Sequence, residues 1–126
     1  MSRHLDAQYI FNNLYHYRAE VISIYDGDTI TVAIDLGFGN TTKEIVRLAR
    51  INAPEVRGEE RNKGLEARDW LRLAIPPCTN IYVSTNKDRT GKYGRYIAEI
   101  YTLEDGNYIN LNDELVLTGH AEYREY

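Results

Sequence analysis

Hydrophobic and polar positions alternate with period two over the first half of the chain. Ala19-Glu20-Val21-Ile22-Ser23-Ile24-Tyr25 is rich in β-branched residues and runs into Asp26-Gly27, and Thr29-Ile30-Thr31-Val32-Ala33-Ile34 then sets Thr or Ala against Ile or Val. Two such runs around an Asp-Gly pair predict a β-hairpin. Gly37-Phe38-Gly39-Asn40 turns the chain again. A third strand is predicted from Lys43 to Ile51. It stops before Pro54, because proline holds its predecessor extended and donates no ladder hydrogen bond. Residues 1–16 are polar and aromatic without clean periodicity and read as an arm or short helix, so the domain proper is expected over 17–126.

From about Glu60 to Ile75 the period changes. Gly64, Ala67, Trp70, Leu71 and Ala74 recur at helical spacing while Arg61, Glu66, Arg68, Asp69 and Arg72 fall largely on other faces, which predicts an amphipathic helix ended by Pro76-Pro77. Ile81 to Ser84 and Tyr96 to Tyr101 read as strands four and five, joined by a polar loop from Thr85 to Gly94. Asn112 is the expected N-cap of a short C-terminal helix, with Asp113 and Glu114 in its first turn and Gly119 at its stop. Three strands, a helix, two strands and a helix is the order of an OB-fold barrel: α+β, mainly β, five-stranded.

Composition narrows the class. A chain of 126 residues with 43% hydrophobic residues fits one domain, and at this size about two thirds of the unfolded surface can be buried. The single Cys78 excludes an internal disulfide, and no Cys/His cluster has zinc spacing. No basic segment followed by an apolar stretch opens the chain, so neither a secretory signal nor a membrane span is read, and a cytoplasmic location is expected. The formal net charge is −4, yet Lys43 to Arg95 holds twelve Lys or Arg against seven Asp or Glu, leaving three against twelve elsewhere. A polyanion responds to the local field of a cleft more than to total charge, so a basic central segment can bind phosphate; ordinary solvated faces are the competing reading.

Two segments carry candidate chemistry. Asp26-Gly27-Asp28-Thr29 puts two carboxylates at a tight turn, where oxygen ligands can converge on a hard cation. Asp-Gly also favours hairpin turns for conformational reasons alone, whereas Asp28 opens a strand, where aspartate is disfavoured. Arg47-Leu48-Ala49-Arg50-Ile51-Asn52-Ala53-Pro54-Glu55 brings arginines and a glutamate to a strand end, and Tyr93-Gly94-Arg95 adds another arginine. A metal, a base and fixed positive charge are what phosphodiester hydrolysis requires, since attack at phosphorus builds charge on the non-bridging oxygens. His4, His16 and His120 have no spacing that suggests ligation or catalysis.

Those segments, with Lys92-Tyr93-Gly94-Arg95 and Asn112-Asp113-Glu114-Leu115-Val116 closing at Gly119, occur in an order and spacing that resemble the staphylococcal nuclease family over roughly Tyr17 to Tyr126. The resemblance implies an OB-fold nuclease using Ca2+ to cleave single-stranded or frayed DNA and RNA with little sequence preference, leaving 3'-phosphate ends. It implies Asp28, Asn52 and the Ala53 backbone carbonyl as metal ligands with Asp26 in support, Glu55 as general base, Arg47 and Arg95 on the phosphate, and Lys92 and Tyr93 on the nucleotide. Arg50 has no counterpart. Two departures stand out. Asn52 replaces an aspartate of the best known member, which should weaken metal binding while keeping its geometry. The chain also stops soon after Gly119, so residues 1–16 or a second subunit of a homodimer would cover that surface. The alternative is a catalytically weak or inactive member that binds nucleic acid or a protein partner.

Overall fold

Ala19, Val21 and Ile24 of the first hairpin's leading strand and Ile30, Val32 and Ile34 of its return strand are buried, with a register shift between Val21 and Ser23, and that face is closed into a barrel rather than left as an open sheet. The computed structural model describes residues 7–90 and 94–125, leaving aside the side chains of 9–11 and 86–90. A short helix α1 (Ala7–Asn12) leads into β1 (His16–Asp26), β2 (Thr29–Gly37) and β3 (Asn40–Leu48). β4 (Ile51–Asn52), α2 (Arg61–Ala74), β5 (Asn80–Thr90), β6 (Tyr96–Glu104), β7 (Asn107–Asn110), α3 (Leu111–Leu117) and β8 (Glu122–Tyr123) follow. The sheet order is β3-β2-β1-β5-β6-β7, and a parallel pairing of β3 with β6 joins its ends. β1, β2, β3, β6 and β5 thus form a closed five-stranded mixed barrel with helices outside it, an OB-fold of the α+β class. Closure removes the exposed sheet edges.

Ile30, Val32, Val46, Leu48, Ile81 and Ile100 fill the interior and are fully buried. Helix α2 covers one end with Gly64, Ala67 and Leu71; Ala74 is exposed, and Ile75, just past the helix, is buried in its stead. No described helix is long and apolar enough to cross a membrane.

The third strand does not run unbroken to Ile51. It ends at Leu48, Arg50 adopts φ +66, and the two-residue β4 pairs with β8 instead. At the break, Ala49 N–H donates to the Ala98 carbonyl at 2.8 Å, so the chain leaves the barrel at a defined point. The segment expected as a loop from Thr85 is strand through Thr90, and residues 91–93 lie outside the described residues.

Asn112 is not the N-cap of α3. That position belongs to Asn110, whose side chain accepts from Asp113 N–H at 3.1 Å. Asn112 lies one residue inside the helix, fully buried. Its Oδ1 accepts from Ile100 N–H at 3.2 Å, and its Nδ2 donates to the carbonyls of Ala49 at 2.9 Å and Ala98 at 3.1 Å. One amide therefore ties α3 to β6 and to the break after β3. A buried amide is tolerated only when its hydrogen bonds are made, and removing it strands the backbone groups it served. Asn112→Ala is accordingly expected to cost on the order of 3 kcal/mol, against about 1 kcal/mol for the half-buried cap change Asn110→Ala. Urea denaturation of both variants checks this; equal costs would contradict the bridging role.

Candidate active site

Register places the candidate residues together. Thr29 pairs with Arg47 across β2 and β3, and Arg47 pairs with Ile97 across β3 and β6, so the start of β2, the end of β3 and Arg95, which immediately precedes β6, meet at one rim of the barrel. Asp28 is 5% exposed. Its Oδ2 accepts from Ala53 N–H at 2.8 Å and forms an ion pair with Arg47 Nη1 at 2.8 Å. Its Oδ1 accepts from the Thr29 hydroxyl at 3.2 Å, and Thr29 Oγ1 in turn accepts from Arg95 Nη1 at 3.3 Å. Arg47 Nη2 donates to Asn52 Oδ1 at 3.2 Å. Asp28, Arg47, Asn52 and Arg95 thus belong to one connected network, with Thr29 as a link that sequence reasoning had quoted only as part of a motif.

Ala53 is buried and contributes its N–H to Asp28. Pro54 follows, and Glu55 is exposed, its backbone N–H donating to Glu60 Oε2 at 3.1 Å. A cleft of about 650 Å³ touches this network at Asn52 and is otherwise lined by residues that include Pro54, Glu60, Lys63, His120 and Arg124, with Asp28, Arg47, Glu55 and Arg95 outside its lining. Lys92 and Tyr93 lie outside the described residues. Of the other tyrosines, Tyr17, Tyr82, Tyr101 and Tyr108 line a separate cavity of about 300 Å³, with Tyr82 and Tyr108 in edge-to-face contact at 5.3 Å.

Gly27 serves space rather than backbone conformation: it is absent from the positive-φ glycines. A Cβ there would stand 2.8 Å from the Ala67 Cβ and 2.9 Å from the Ala53 Cβ. Only hydrogen fits between the Asp26–Asp28 turn, helix α2 and the segment after β4. The reading of Asp-Gly as a purely conformational turn pair is corrected by this packing.

Arg50 belongs elsewhere. It pairs with Glu99 at 2.6 Å and Asp113 at 2.9 Å, holds its proton more tightly because of those carboxylates, and in turn lowers the Asp113 pKa. The basic central segment is therefore not one basic face; part of its charge is matched by acidic residues folded in from β6 and α3.

Asp26 is 9% exposed and accepts from Asp28 N–H at 3.1 Å. Burial, then the neighbouring Asp28 carboxylate, pushes its pKa from 3.8 up to about 7. Two buried carboxylates this close repel when both are ionised. The donors near Asp28 are all hard oxygens, which suits a hard divalent ion, and such an ion would relieve that repulsion. Among the described residues no group of three or more His, Cys, Asp or Glu is gathered into a ready metal cage.

A family model described as staphylococcal nuclease homologue matches residues 45–126. An uncharacterized protein of Methanocaldococcus jannaschii is 29% identical over 128 residues, covering 84% of this chain and 58% of that relative's length.

The Asp26 carboxyl binds its proton more tightly when folded than when unfolded. Its contribution to stability is full below the ordinary carboxylate pKa and is lost as pH rises through about 7. Asp26→Asn keeps an acceptor for Asp28 N–H but cannot ionise. It is expected to raise the melting temperature by several degrees at pH 8 in chelator, and to give no gain at pH 3.5. Equal shifts at both pH values, read by circular dichroism, would refute the assignment.

Proposed function

The chain belongs to the staphylococcal nuclease family, and from that premise we propose that it is a calcium-dependent phosphodiesterase that hydrolyses single-stranded or frayed DNA and RNA and leaves 3'-phosphate ends. The observation that carries this reading is the buried Asp28 carboxylate, bonded directly to Arg47 and through Thr29 to Arg95, with Glu55 exposed two residues beyond the Ala53 amide it also holds. Arg47, at the end of β3, and Arg95, just before β6, are thereby tied into one network, and Glu55 is exposed on the segment after β4. Preorganised positive charge aimed at a phosphate is worth most when it need not reorganise during reaction.

In this reading Arg47 and Arg95 donate to the non-bridging oxygens and stabilise the charge that develops as water attacks. Arginine suits the task because its planar fork donates bidentate hydrogen bonds and stays protonated. Glu55 takes the proton from the attacking water, and the 5'-oxygen departs. Asp28, the Asn52 amide oxygen and the Ala53 carbonyl would hold the calcium, with Asp26 in support. When bound, the ion supplies further positive charge at the phosphate and favours deprotonation of water. Lys92 and Tyr93 would contact the nucleotide, Tyr93 by stacking, which tolerates any base.

A second reading keeps binding and drops catalysis. Asn52 is neutral, and Arg47 is already engaged by Asp28 and Asn52, as befits a member that grips nucleic acid without turning it over. Timed digestion of single-stranded DNA and RNA separates the two: hydrolysis with calcium and none with chelator is expected, and retention of substrate without cleavage across a metal titration would establish the binder. Arg47→Lys, Arg95→Lys and Glu55→Gln are each expected to lower turnover by about two orders of magnitude or more with unchanged melting temperature. Near wild-type rates in all three would overturn the assignment.

Asn52→Asp is expected to tighten calcium, because a second carboxylate adds attraction for a dication where screening is weak. The Arg47 guanidinium between positions 28 and 52 offsets part of the carboxylate repulsion in the metal-free protein. Calorimetric titration giving equal or weaker calcium affinity would refute it.

A further inference from the structure

We propose that the entry to α2, through Glu60 in the 3-10 turn just before it (Gly58–Glu60) and Gly64 in its first turn, is the device that positions the Glu55 carboxylate, an inference that rests on the nuclease reading in which Glu55 is the base. The Glu55 side chain is exposed, so its reach depends on how firmly its own backbone is held. That backbone is held from both sides, by the 3-10 turn before α2 and by the first turn of α2 itself. Its N–H donates to Glu60 Oε2 at 3.1 Å. Its carbonyl lies so close to Gly64 that a Cβ there would overlap the Glu55 carbonyl oxygen and carbon and stand 2.8 Å from Val56 N.

Gly64 and Ala67 are three apart within α2 and lie on its one buried face. Ala67 is the residue against which Gly27 packs without room for a methyl group. One face of α2 therefore touches the Glu55 peptide at one end and the Asp26–Asp28 turn at the other. The helix acts as a ruler between the base and the Asp28 network. Glycine inside a helix is less favourable than alanine, so Gly64 weakens the element it sits in, and the close approach of the Glu55 carbonyl is what requires it. A purely structural role would show as altered stability. A positioning role shows in turnover through Glu55, because a misplacement of about 1 Å can cost a hundredfold in rate.

The test is a double-mutant cycle on the full chain with calcium and single-stranded DNA. It uses Gly64→Ala, Glu60→Ala and Glu60→Gln, each alone and in a Glu55→Gln background, with kcat, KM and melting temperature measured. Gly64→Ala is expected to lower kcat about a hundredfold with KM little changed. Glu60→Ala should lower kcat about tenfold at unchanged melting temperature, and Glu60→Gln, whose amide oxygen still accepts from Glu55 N–H, should restore most of it. None of the three should lower the residual rate of Glu55→Gln further. Losses that add fully in that background overturn the proposal, as does a loss confined to melting temperature. Should Gly64→Ala fail to fold, the Glu60 pair decides: wild-type kcat in Glu60→Ala overturns it, and rescue by Glu60→Gln with non-additivity sustains it. A wild type that hydrolyses nothing overturns the nuclease reading and this role with it, whereas an active wild type with an unchanged Glu60→Ala overturns this role alone.

Discussion

A carboxylate that is almost fully buried must have partners, and the partners of Asp28 organise the rim of this barrel. Its two oxygens accept from the Ala53 amide and the Thr29 hydroxyl and face the Arg47 guanidinium. Those groups come from the start of β2, the end of β3 and the segment after β4. Leaving any of them unmet would strand charge or polarity in a region of low dielectric, which is why one side chain can fix three pieces of backbone against each other. The same arrangement holds Arg47 in a single orientation and reaches Arg95 through Thr29.

The helix that covers this rim approaches by subtraction. Gly27, Ala53, Gly64 and Ala67 carry little or no side chain at the points where α2 meets the hairpin turn and the Glu55 peptide. Small residues allow backbone to approach backbone, and close-packed contacts transmit position with little slack. Stability is drawn from elsewhere, from the aliphatic barrel interior and from Asn112, which joins α3 to β6 and to the break after Leu48. The site is thus set between two satisfied buried polar groups, Asp28 on one side of the β3–β4 segment and Asn112 on the other.

Charge is distributed with a matching economy. Arg50, close in sequence to Arg47, is drawn away to Glu99 and Asp113, and Tyr123 donates to the same Asp113. That cluster fastens β8 and α3 to β6 and leaves Arg47 and Arg95 with the Asp28 network. Asp26 is left with a carboxylate neighbour and a raised pKa.

Local pattern determined much of this protein. Alternation in Thr29–Ile34 and around Val21 marked the hairpin, the change to helical spacing at Gly64, Ala67 and Leu71 marked α2, and the element order led to a closed five-stranded barrel. Asp28 could be picked out because aspartate is disfavoured where a strand opens, whereas Arg47, Asn52 and Arg95 were singled out by the resemblance to the staphylococcal nuclease family. What only the tertiary structure decided depends on contacts between residues far apart in the chain. Asn112 looked like a cap because asparagine before Asp-Glu serves that purpose locally; its buried role needs Ala49, Ala98 and Ile100, which no local window contains. Gly27 looked like a turn residue, but its constraint comes from Ala53 and Ala67. Strand β3 stops at Leu48 because Ala49 is bonded to Ala98 and β4 has a partner in β8, and the Glu55 peptide is bounded by Glu60 and Gly64. Periodicity reports which face a residue takes; only packing decides what that face meets, because the distances that matter are set by closure of the barrel.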